Sequence, residues 1–139
     1  MLSRLRDALV RTPLIRQVSA HCDLPCGVYD PAQARIEAES VKALIQKHNA
    51  SDDPVFKTRA IFIKEQRAEL VKHHLWVLWT DYFKPPHFEK YPNLHQLFNE
   101  ATKLAGAGGA KGSLDESVAD QLLGKIDEIA KIFWETKQA

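Results

Sequence analysis

Between Asp53-Pro54 and Pro85-Pro86 runs the longest periodic stretch of the chain, and it dictates the fold class. Phe56, Ile63, Leu70 and Val77 recur every seven residues, with Ile61, Leu75 and Trp76 widening the stripe. Apolar residues seven apart share one face of an α-helix, whereas on a strand they would alternate between faces. Asp53 is placed as N-cap and Pro54 at the first helical position. The Pro-Pro pair ends the helix, because proline lacks an N–H and clashes with the preceding turn. A single helix cannot bury its own apolar stripe, so the rest of the chain must supply partners.

Three further segments are suited to that. Asp30 stands as N-cap, Pro31 as first helical residue and Gln33 as the far member of a capping box. Ile36, Val41, Leu44, Ile45 and His48 follow near helical spacing, and Asn49-Ala50-Ser51-Asp52 ends the segment. Pro92 opens another, with Leu94, Leu97, Phe98, Ala101 and Leu104 on one face. Ser113 and Glu116 form a capping box for the last, along which Val118, Leu122, Ile126, Ile129 and Phe133 recur. Between these two lies Gly106-Ala107-Gly108-Gly109-Ala110-Lys111-Gly112. It has a P-loop flavour, but Gly112 stands where Ser or Thr would follow the lysine and no strand precedes it, so it reads as a flexible linker. Four amphipathic helices with short connections predict an all-α fold, an antiparallel up-down four-helix bundle.

A chain of 139 residues with 45% hydrophobic content suits one compact domain. Residues 1–20 hold Arg4, Arg6, Arg11 and Arg16 against Asp7, a net +3 within a whole-chain charge of +1, which leaves −2 for residues 21–139. No basic patch is dense enough for a nucleic-acid partner, and no apolar run reaches membrane-spanning length. The charges in residues 1–20 cut any export-signal core, although Val18-Ser19-Ala20 resembles a cleavage site.

Both cysteines sit in His21-Cys22-Asp23-Leu24-Pro25-Cys26-Gly27-Val28-Tyr29. Pro25 and Gly27 bracket Cys26, so the stretch is a turn that can present two thiols to one soft metal. Rival readings are a disulfide, a dithiol redox motif, or zinc completed by His73-His74 or His87. Thioredoxin-like motifs have two residues between their cysteines and a βαβ context; here there are three and no strand.

The pattern His-Cys-x-x-Pro-Cys-x-x-Tyr resembles the metal hook of the nickel-containing superoxide dismutases. The resemblance continues through Asp30-Pro31, Arg67, Asp81-Tyr82-Phe83-Lys84-Pro85-Pro86 and Ile132-Phe133-Trp134-Glu135, and so covers the chain from His21 onward. It implies the same bundle with an N-terminal hook at 21–29, freed by a cut between Ala20 and His21, so that 1–20 is a leader and 21–139 the mature domain. It implies His21, Cys22 and Cys26 as metal ligands, through the His21 amine and ring, the Cys22 amide and two thiolates, on one nickel ion per subunit. It further implies superoxide as substrate, Ni(II)/Ni(III) cycling, and roles for Asp23, Tyr29 and Tyr82 in positioning water or protons. Glu37 and Arg67 match the family pair that orients the His21 ring, and Lys84 and Lys90 stand near Tyr82 to attract an anion. A homohexamer, a maturation protease and a cytoplasmic location are implied as well, while the Arg-rich leader also fits an organelle transit peptide. The alternative is a carrier that binds nickel or copper at the same hook without turnover.

Overall fold

The computed structural model of the chain describes residues 27–139. The leader and His21, Cys22, Asp23 and Cys26 lie outside the described residues. Helix α1 spans Ala32–Ala50 and α2 Pro54–Val77, which continues into a π-helical turn at Leu78–Tyr82. A short α3, Pro85–Lys90, leads to α4, Leu94–Ala105, and α5, Glu116–Gln138, closes the chain. Helix α1 packs on α2 and α5, and α4 packs on the same two, so the four long helices form a closed ring. The expected four-helix bundle is present, and α3 is an addition to it. Pro85 and Pro86 stop one helix and start the next, since proline is well suited to a first turn.

Asp53 caps α2 as expected, its carboxylate accepting from the Val55 N–H at 3.0 Å. The cap of α5 is Asp115 rather than Ser113: Asp115 accepts from the Ser117 N–H at 2.9 Å, while the Ser113 hydroxyl accepts from the Asp115 N–H at 3.0 Å. At α1 the Asp30 carboxylate accepts from the Ala32 N–H at 2.8 Å and Pro31 is the residue flanking the helix.

The core differs from the seven-residue stripe. On α2 the buried positions are Ala60, Lys64, Ala68, Val71 and Leu75, whereas Phe56, Leu70, Ile61 and Trp76 are exposed. Ala34 and Ala38 are likewise buried on α1, and Ile36 is exposed. Small residues on both helices let their axes approach closely, and the larger apolar residues are left on the outer face. Larger core residues come from the other side, among them Phe98 of α4 with Leu122, Ile126, Ile129 and Phe133 of α5. Each contributes about 1.5–3 kcal/mol on full burial. Phe83 belongs to this core too, and Trp79 stacks on Phe98 with ring centroids 5.6 Å apart.

The glycine-rich segment is an ordered turn, contrary to the expectation of a flexible linker. Gly106, Gly109 and Ala110 are buried, and the Ala110 N–H donates to the Leu104 carbonyl at 2.7 Å. Lys64, only 2% exposed, donates from Nζ to the carbonyls of Ala110, Lys111 and Ser113 at 3.0, 2.8 and 2.6 Å. All three ammonium protons are thereby satisfied, which is what burying a charge requires.

Candidate metal centre

The described chain enters the bundle at Gly27. Gly27 adopts φ +84°, a left-handed conformation that glycine enters without the Cβ penalty of other residues, and it turns the chain toward the helices. Tyr29, two residues on, is half-buried and packs edge-on against Tyr82, with ring centroids 5.7 Å apart. The last residue of the hook is thus docked on the end of α2.

Tyr82 owes its place to the π-helical turn. The Phe83 N–H donates to the Leu78 carbonyl at 3.0 Å, five residues back. Inserting one residue in a helical turn rotates all later positions by about 100°. Phe83 thereby enters the core while Tyr82 lies between α5 and the hook. The Tyr82 ring sits 4.4 Å from Phe133 and 5.9 Å from His87, the latter nearly parallel, and the Lys137 ammonium lies 5.2 Å from its centroid. Its hydroxyl is 2.7 Å from Thr136 Oγ1. Nothing in the sequence marks Thr136 as a neighbour, because it lies 54 residues away.

Glu37 and Arg67 also meet. Arg67 Nη1 donates to both Glu37 carboxylate oxygens, at 3.3 and 3.2 Å, joining α1 to α2. His74, one flank of α2 further on, is pushed below the ordinary histidine value by burial and by His73, against an opposing pull from Glu37. Arg67 and Tyr82 are fifteen positions apart on α2, roughly 22 Å along the axis.

Among the described residues no group of three or more His, Cys, Asp or Glu side chains is arranged to hold a metal ion. His73 and His74 lie side by side at 5.6 Å without a third donor in that group. His87 Nδ1 accepts from the Lys84 N–H at 3.0 Å, His95 Nδ1 from Trp79 Nε1 at 3.0 Å, and His48 is a buried core residue bonded to Asn49 at 3.1 Å. Lys84 is exposed ahead of α3, and the Lys90 ammonium lies 5.5 Å from the Tyr91 ring.

A sequence profile described as nickel-containing superoxide dismutase matches residues 16–137. Two proteins named superoxide dismutase [Ni] align with the whole chain over their own whole length: one from Streptomyces coelicolor at 68% identity and one from Streptomyces seoulensis at 63%. Among solved structures, a native nickel superoxide dismutase at 67% identity superposes with a TM-score of 0.81, covering 86% of this chain and all of its own. An apo structure of nickel superoxide dismutase, at 65% identity, gives 0.78 over 81% of this chain and all of its own.

Proposed function

The chain belongs to the nickel-containing superoxide dismutases, and on that premise we propose that its metal centre is the hook His21–Tyr29, exposed by a cut before His21. Its activity is that of the family, the conversion of superoxide to oxygen and hydrogen peroxide with a nickel cofactor. The observation that carries the site reading is the packing of Tyr29 on Tyr82, which anchors the hook to the bundle. Eight residues separate Tyr29 from His21 and can span at most about 27 Å. His21 therefore has the reach to approach Glu37 while Tyr29 stays on Tyr82.

Cys22 and Cys26 would hold the metal through their thiolates, and His21 through its amine and ring. When bound, nickel supplies one-electron exchange between Ni(II) and Ni(III), which electron-rich sulfur donors favour. The residues of the chain do the rest. Cleavage before His21 turns a peptide nitrogen into a free amine, a ligand the precursor lacks. Glu37, itself held by Arg67, accepts from the His21 ring and fixes its orientation. Asp23, Tyr29 and Tyr82 position water or protons beside the sulfurs. Lys84 and Lys90 bias the approach toward an anion.

Length agrees with maturation. The two relatives align with all 139 positions, whereas the native solved chain is covered whole by 86% of this one. We assign assembly to a homohexamer, supported by the exposed apolar side chains of α2, and location to the cytoplasm, with a protease acting at Ala20. Among the described residues no helix is long and apolar enough to cross a membrane.

The test compares the full chain with one beginning at His21, both loaded with nickel, by superoxide decay and electron paramagnetic resonance. Fast decay with a low-spin Ni(III) signal only in the shorter chain supports the reading. Equal activity in both would sink the maturation step, and tight nickel binding without decay in the shorter chain would make the protein a carrier.

A further inference from the structure

Two hydrogen bonds at the end of α5 fix the direction of a third group. Thr136 Oγ1 donates to the Phe133 carbonyl at 2.6 Å, and a carbonyl oxygen only accepts. The threonine hydroxyl has a single proton, and this bond uses it. The 2.7 Å contact between Thr136 Oγ1 and the Tyr82 hydroxyl must then run the other way, with Tyr82 as donor. The phenol proton is committed to α5, and the oxygen of Tyr82 keeps only lone pairs for anything arriving from the hook side.

We propose that Thr136 is a positioning residue for the dismutase reaction, acting through Tyr82 by accepting the hydrogen bond of its hydroxyl, so that Tyr82 faces the metal centre as an acceptor. This rests on the reading that docks the hook beside Tyr82. Tyr82 then orients a donor, such as a water, and is not the source of the protons that peroxide requires. The ring is kept in place independently by Phe133, His87 and Lys137, so its orientation does not depend on Thr136. What Thr136 sets is the direction of one proton. That separates its role from packing.

The experiment uses Thr136→Val, which keeps the shape and loses the acceptor, and Thr136→Ser, which keeps the acceptor. In the full chain without metal, NMR of the Tyr82 hydroxyl proton is expected to show slow exchange and a contact to the Thr136 methyl. In Thr136→Val that proton exchanges faster, with the melting curve retained. In nickel-loaded chains beginning at His21, superoxide decay falls by about tenfold in Thr136→Val, the rate equivalent of one neutral hydrogen bond, and is rescued in Thr136→Ser. A Tyr82 hydroxyl proton with no contact to Thr136, or equal decay rates in the valine and serine variants, would overturn the proposal. Abolition of decay by Cys22→Ser with no effect of Tyr82→Phe would instead overturn the docking of the hook beside Tyr82, whatever the proton contact shows.

Discussion

Arg67 holds the Glu37 carboxylate by both oxygens, at 3.3 and 3.2 Å, from the neighbouring helix. The arginine side chain is 45% exposed and the glutamate 15%, so the carboxylate is the sheltered partner and the guanidinium its solvent-side clamp. A half-exposed pair of this kind contributes only about 0.2–1 kcal/mol to stability. If its purpose is to orient the His21 ring, the effect on activity is larger, because groups that support a metal ligand cost about 10–100-fold when removed. Arg67→Met is therefore expected to lower superoxide decay by that factor and to shift urea unfolding by less than about 1 kcal/mol. Loss of stability and activity in proportion would reduce the pair to an inter-helix tie.

Lys64 makes the opposite forecast. Its ammonium binds three carbonyls of the 106–113 turn, one buried and two part-buried, so truncation leaves three acceptors without their donor. Lys64→Met is expected to cost about 2–4 kcal/mol, on the scale of charged hydrogen bonds and unsatisfied carbonyls. The glycines of the turn provide an internal control. A Cβ on Gly109 would lie 2.1 Å from the Leu104 carbonyl oxygen, whereas one on Gly108 meets nothing within 4 Å. Gly109→Ala should lower the melting temperature and Gly108→Ala should leave it nearly unchanged. Equal tolerance of both would restore the flexible linker read from composition.

That linker shows where sequence reasoning stopped. Composition sees four glycines in seven residues, but the order comes from Lys64, more than forty positions earlier and disqualified as core by its charge. The α2 stripe misled for a related reason. Phe56, Ile63, Leu70 and Val77 are large and periodic, whereas the buried positions of α1 and α2 include the small residues Ala34, Ala38, Ala60 and Ala68. By contrast the cap at Asp53 and the apolar faces of α4 and α5 were legible, because each is a local pattern. The Tyr82–Thr136 bond and the π-helical turn that aims Tyr82 were not, since both depend on contacts between distant segments.

His74 carries a pH signature. Its folded value lies below the ordinary 6.5, with burial the largest cause and His73 the next, against Glu37. Between that depressed value and 6.5 the unfolded chain binds a proton that the folded chain does not. Stability from this group is therefore complete above about 6.5 and declines as the pH falls through the window. Relative to His74→Gln, the unmutated protein is expected to lose melting temperature on acidification from neutral pH. A constant difference between the two across that range would show that His74 is not held neutral by the fold.

The outer face of α2 puts the proposed assembly to a test. Phe62 is 65% exposed and Trp76 40%, with Leu70 also exposed, a set of large apolar side chains left uncovered among the described residues. Scattered apolar residues on a surface need no explanation, but several large ones along one helix mark an interaction site. A homohexamer would cover them with the equivalent or a complementary face of another copy. Phe62→Asp changes a side chain that contributes little to the monomer, so its effect on monomer stability should stay within about 0.5 kcal/mol. Its effect on association should be large, because each interface would acquire a desolvated charge. Sedimentation of the chain beginning at His21 is expected to give a hexamer, and Phe62→Asp a smaller species with unchanged helical content. A variant that stays hexameric would place the interface elsewhere, and one that unfolds would show Phe62 to be part of the core after all.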